Sequence, residues 1–140
     1  NSTEVINAIN CLDYPVEGDM ASWQAEAHEI EQASPTFGAD LSYPELFCQV
    51  WDHKSTRERK PIHASGAAPI LVIGTTGDPA TPYPWAEALA EQLDSGRLLT
   101  WEGNGHTAYG RSGACIHKAV DTYLISGTMP EEGLTCKNGQ

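Results

Sequence analysis

The chain has 140 residues, the size of one small domain, and 40% of them are apolar, enough for a modest core. Nineteen acidic residues against eight basic ones give a formal charge of −11, which argues against nucleic acid or an anionic membrane surface as a partner, since both need a basic footprint. No apolar run approaches the ~18 residues of a membrane span and no signal-peptide pattern opens the chain; the start at Asn1, without methionine, is that expected of a processed or trimmed product.

Residues 1–60 read as helical and irregular. "STEVINAINCLD" offers Ser2 and Thr3 as caps and carries Val5, Ile6 and Ile9 at helical spacing. A second helix is expected from Met20 to about Ala33, capped by Asp19, with Trp23, Ala27 and Ile30 on one face. It stops at "ASP" (33–35), because the residue before Pro35 avoids the helical region. Ser42 is expected to cap a short turn through Leu46, Phe47 and Val50. "DHKSTRERKP" (52–61) is rich in charge, with Lys54, Arg57, Arg59 and Lys60, and reads as a solvated linker dividing the chain in two.

From Ala67 the pattern sharpens. "PILVIG" (69–74) is a buried-strand signature, apolar and β-branched between Pro and Gly. "PYPWAEALAEQLDSG" (82–96) predicts a helix with Trp85, Leu89 and Leu93 as its core stripe, Pro84 in its first turn and Gly96 as its closing glycine. "RLLTW" (97–101) is a second strand, and "SGACIHKAVDTYLISG" (112–127) a second helix with Ile116, Val120 and Tyr123 facing inward. Strand, helix, strand, helix is the grammar of a parallel α/β sheet. Two parallel strands are rarely stable alone, so the pattern predicts a piece of a longer α/β protein with an unpartnered strand edge and apolar helix surface.

The cysteines Cys11, Cys48, Cys115 and Cys136 form no C-x-x-C pair, and no H-x-x-x-H occurs, so no metal site is expected. Their even count and wide spacing predict two disulfides and an oxidising compartment. Three connectivities are open, of which the consecutive links Cys11–Cys48 and Cys115–Cys136 are favoured.

Two loops stand out. Asp78 in "GTTGDPATP" (74–82) and His106 in "GNGH" (103–106) each lie just past a predicted strand. In an open α/β sheet the crevice at the carboxyl ends of the strands is where functional groups gather, and adjacent strands would present the two side by side. An Asp held against a His fixes its tautomer and stabilises the imidazolium formed when it takes a proton from a nucleophile. The other histidines, His28, His53, His63 and His117, lie on charged faces or in the linker and read as bystanders.

"GTTGDPATPYPWA" resembles the acid loop of α/β-hydrolases, with Gly74, Asp78, Pro79, Thr81, Pro82 and Ala86 in place, and "GNGHTAY" resembles their histidine loop. The continuation through Ser112, Cys115, Tyr123, Leu124, Gly127, Pro130, Gly133 and Cys136 is similar to the C-terminal domain of the secreted tripeptidyl-aminopeptidase (TAP-like) branch. The resemblance is close over residues 67–137. Over 1–60 it is looser, resting on "AINCLDYP" and "CQVWD", which resemble the segment after that family's lid.

The resemblance implies an α/β fold that is the C-terminal portion of a hydrolase: two parallel strands with flanking helices in 61–140, after a helical segment over 1–60. It implies bridges 11–48 and 115–136, no cofactor, and a Ser–Asp–His order with Asp78 and His106 as catalytic residues. The serine is expected upstream in G-x-S-x-G, a motif this chain lacks. "GRSGA" (110–114) follows the histidine and lacks the final glycine, and Ser65 in "HASGA" follows no strand. The implied reaction is acyl-enzyme hydrolysis of peptides from their amino end by a secreted or cell-surface-associated protein. The oxyanion donors and amine-binding acids would sit in an absent N-terminal core and lid, leaving this chain alone inactive. An esterase or lipase of the same fold, or a non-catalytic extracellular binding module, are the alternatives.

Overall fold

The computed structural model describes residues 2–43 and 45–137. The chain forms two compact units, Asn1–Lys60 and Pro61–Gln140.

The first unit is helical: α1 (Ser2–Asp13), α2 (Met20–Ala33), α3 (Gly38–Leu41) and α4 (Glu45–Val50). The side chains of Ser2 and Thr3, the expected caps of α1, lie outside the described residues. Asp19 caps α2 as expected: its carboxylate accepts the amides of Ala21 and Ser22 at 3.0 Å each, and Ser22 Oγ accepts the Asp19 amide at 2.9 Å, a reciprocal capping box. Trp23 and Ala27 are buried, and Trp23 Nε1 donates to Glu17 O. Ser42 does not cap α4. Its hydroxyl donates to Gly38 O at 2.7 Å and closes α3, a turn the sequence pattern does not announce. The Cys11–Cys48 disulfide ties α1 to α4.

The charged stretch 52–60 has no helix or strand, but its cations are engaged within the unit. Lys54 Nζ donates to the Cys48 and Gln49 carbonyls at the end of α4, Arg57 pairs with Asp13 at 3.2 Å, and Arg59 pairs with Glu17 while its guanidinium lies 5.3 Å from the Tyr14 ring centroid.

The second unit runs β1 (Ile70–Gly77), α5 (Tyr83–Gln92), β2 (Gly96–Asn104), α6 (Ala114–Ser126) and β3 (Thr135–Lys137). The strands form one parallel sheet in the order β1-β2-β3, with Val72 opposite Leu98 and Trp101 opposite Cys136. The two-strand expectation is therefore corrected to three. A three-residue polar strand has no periodicity to detect; β3 is held by its ladder, by burial of Cys136 and by the Cys115–Cys136 disulfide to α6.

Side-chain alternation gives the sheet two apolar faces. Leu99 and Trp101 pack with Ile116 and Val120 of α6, with Leu71 and Ile73 beside them. On the other face Tyr83 Oη bonds Thr100 Oγ1 at 2.8 Å, and Tyr83 and Ala86 crowd Gly74. α5 thus meets the sheet through Tyr83, Ala86, Ala90 and Leu93, a helical 3-4-3 spacing. This corrects the expected stripe: Leu93 is buried, but Trp85 and Leu89 are 64% and 41% exposed, because they lie off that face. Gly96 does not close α5 either; it opens β2, after a helix that ends at Gln92.

Candidate active site

Asp78 and His106 follow the carboxyl ends of adjacent parallel strands. The register slips between Thr75 and Gly77, opposite Trp101 to Asn104, and Thr76 Oγ1 accepts the Gly103 amide inside the irregularity. Such a bulge re-aims the chain at the strand end. The two loops then touch directly: Gly105 N donates to Gly77 O at 3.0 Å. Both glycines are required by geometry. A Cβ on Gly77 would stand 2.3 Å from Asn104 Oδ1, and Gly105 has φ +113°.

The juxtaposition predicted from the loops is present. His106 Nδ1 lies 3.1 Å from Asp78 Oδ2 and 3.2 Å from Oδ1, with the carboxylate buried and the imidazole side chain 51% exposed. The carboxylate also accepts four hydrogen bonds from the two loops. Oδ1 accepts the amides of Ala80 (2.8 Å) and Thr81 (2.9 Å); Oδ2 accepts the Thr81 hydroxyl (2.8 Å) and the Thr107 amide (3.2 Å). Burial alone would raise its pKa. The amide and hydroxyl of Thr81, with the amides of Ala80 and Thr107, outweigh burial and hold Asp78 well below the usual carboxylate range. An ionised Asp78 accepts from Nδ1–H, which fixes the proton there and leaves Nε2 as the basic nitrogen. The Thr81 hydroxyl, its own proton on Asp78, gives Nδ1 a longer contact at 3.4 Å.

Thr81, named only as part of the acid-loop resemblance, and Thr107 are partners of Asp78 to which the sequence assigned no role. Thr81 had a signal: Asp followed three residues later by Thr after a proline is an Asx-type turn. Thr107 had none, since a β-branched residue at φ +67° goes against local preference. Beside Asp78 a groove of about 440 Å³ is lined by Val72, Thr75, Trp85, Leu89 and Tyr109, among others. The two other serines weighed as nucleophiles do not meet His106. Ser65 Oγ donates to Asp94, and Ser112 Oγ is buried without a hydrogen-bond partner. Among the described residues no three His, Cys, Asp or Glu side chains gather as a metal site would need.

A parallel sheet covered on both faces, with a carboxylate–imidazole pair just past the ends of adjacent strands, marks the chain as the C-terminal portion of an α/β-hydrolase. It belongs to the TAP-like protein family of that fold, whose sequence profile matches residues 34–136. Carboxylesterase B and serine protease Hip1 of Mycobacterium tuberculosis are each 36% identical to it over 139 residues, and the tripeptidyl aminopeptidase of Streptomyces lividans is 27% identical over 137. Each match covers 97% of this chain but 26% of the relative. The chain therefore spans about a quarter of the length of the curated relatives it matches.

Proposed function

We propose that this chain supplies the Asp and His of a Ser–Asp–His triad in a secreted hydrolase that cleaves peptides from their amino end, with the serine contributed from outside these 140 residues. The observation that carries the reading is the 3.1 Å contact between a buried, ionised Asp78 and a half-exposed His106. In the reaction, Nε2 of His106 takes the proton of the serine hydroxyl as its oxygen attacks the carbonyl carbon. Asp78 stays ionised and stabilises the imidazolium, which then delivers that proton to the departing amine. Water repeats the sequence on the acyl-enzyme, its proton passing through Nε2 to the serine oxygen.

In this reading residues 1–60 follow a lid and residues 61–140 complete the core. The upstream core would occupy the unpaired side of β1, an edge strand, and the apolar groove with Trp85 and Leu89. Two disulfides support secretion, and the tripeptidyl aminopeptidase relative supports a peptide substrate. The carboxylesterase relative, at higher identity, favours a second reading as an esterase.

A substrate panel with a full-length polypeptide containing this chain separates the two: dependence on a free amino terminus supports the peptidase, and cleavage of simple esters alone supports the esterase. Fluorophosphonate labelling of the 140-residue chain, read by intact mass, tests the missing nucleophile. No adduct is expected. A stoichiometric adduct on Ser65 or Ser112 would overturn the assignment, and a polypeptide with no turnover whose affinity for a partner survives His106→Ala would favour a non-catalytic module.

A further inference from the structure

The loop that carries His106 passes through three residues of positive φ, Gly105, Thr107 and Gly110, and one of them is β-branched. A segment in such a conformation keeps it only where its surroundings over-determine it. On the acid side the Thr107 amide is held by Asp78, and Ala108 is buried in the core. On the other side three contacts run to α6. Tyr109 Oη donates to Asp121 Oδ1 at 2.6 Å. The Tyr109 ring stands edge-on to His117, 5.2 Å between centroids at 80°. The Gly110 amide donates to His117 Nε2 at 3.0 Å.

We propose that Tyr109, His117 and Asp121 are positioning residues for His106: two side chains one turn apart on α6 grip the loop and so hold the imidazole against Asp78. The inference rests on His106 being the base of the proposed triad. Because Gly110 donates to Nε2, that nitrogen of His117 carries no proton, and the ring proton sits on Nδ1. The Asp121 carboxylate, by hydrogen bond and by charge, pushes the Tyr109 hydroxyl above its ordinary pKa, so the phenol remains a donor. His117 thus has a defined part in the architecture, where the sequence had suggested a bystander.

The test is ring-nitrogen NMR on the 15N-labelled 140-residue chain, in which non-exchanging imidazole protons report which nitrogen of neutral His106 bears the proton. The wild-type chain is expected to show one tautomer, protonated at Nδ1. Tyr109→Phe, Asp121→Ala and His117→Leu are each expected to lose that single tautomer, and Tyr109→Phe with Asp121→Ala to lose no more than either alone. His117→Gln, whose carbonyl accepts the Gly110 amide, is expected to restore it. Unchanged amide signals of Leu99 and Ile116 certify the fold in each case. A single tautomer persisting in all three variants would overturn the proposal while leaving the triad intact. Mixed tautomers already in the wild-type chain would instead defeat the triad reading, and this inference with it.

Discussion

Helices α1 and α6 have 12 and 13 residues and both carry apolar stripes, yet Ile6 and Ile9 of α1 are 52% and 46% exposed while Ile116 and Val120 of α6 are 0% and 6% exposed. The contrast comes from what each helix meets. α6 lies on a parallel sheet whose alternation presents Leu71, Ile73, Leu99 and Trp101 as one continuous surface. Within residues 1–60 α1 is fastened to α4, a helix of six residues, and its inward contacts centre on Cys11. A periodic stripe announces a helix, but burial needs a partner surface of matching extent. The first unit consequently leans on a disulfide, a cap and ion pairs, and the second on a core.

The largest expected effect concerns this chain's share of the proposed triad, which lies in the second unit. In a full-length polypeptide, His106→Ala or Asp78→Asn is expected to lower turnover ~10⁴-fold, and His28→Ala in the first unit to leave it unchanged. Steady-state kinetics on a peptide substrate decide this, and unchanged turnover in either second-unit variant would remove Asp78 and His106 from the mechanism. Next in size is the core itself. Leu99→Ala or Ile116→Ala is expected to destabilise residues 61–140 by ~2–5 kcal/mol, whereas Ile6→Ala or Ile9→Ala should stay within ~0.5 kcal/mol. Denaturant unfolding of the 140-residue chain measures both, and a costly Ile6→Ala would mean that the α1 stripe is covered in solution.

The disulfides sharpen the contrast because they are similar in kind and unequal in consequence. Their separations of 37 and 21 residues give each ~3–4 kcal/mol in the chain-entropy account. Replacing Cys11 and Cys48 by Ala is expected to abolish amide-exchange protection in α1 and α4, where little else holds them. Replacing Cys115 and Cys136 by Ala should weaken β3 yet leave β1 and β2 protected, since Leu99 and Ile116 keep their partners. Equal loss in both units would show that the core of the second is not self-sufficient.

How much was legible in the sequence follows the same line. β1 and β2 were readable as short apolar runs, α5 and α6 as helical stripes ten or more residues long, and the Asp78 and His106 loops because glycine and proline punctuate the strand ends. β3 and α3 were not, being three and four residues long and made by tertiary contacts. Trp85 misled for a different reason: a four-residue spacing shows that a face exists, and only packing shows which residues occupy it. Ala86 and Tyr83 pack over Gly74, and the Ala90 carbonyl and Leu93 lie against Gly96, which leaves Trp85 and Leu89 outside the contact face. At the site, an Asp–His pair is visible as residue types. The amides that hold Asp78 ionised belong to the backbone, which carries no residue-type signal, and Thr107 contributes its amide from a conformation its side chain disfavours.

The smallest effect probes whether the two units unfold separately. Asp19→Ala removes both acceptor contacts at the start of α2 and should cost ~1 kcal/mol, typical of a lost N-cap, while Asp19→Asn retains an acceptor oxygen and should recover most of it. Because the cap lies in a helix whose buried residues, Trp23 and Ala27, belong to the first unit, amide exchange is expected to quicken in α2 alone. Subglobal opening of this kind reports the free energy of the segment that opens and leaves more stable segments untouched. If the amides of Ile73 and Leu99 quickened in step with those of Trp23 and Ala27, residues 1–60 and 61–140 would be a single cooperative unit. The contrast between α1 and α6 would then describe how side chains are buried, without describing how the chain comes apart.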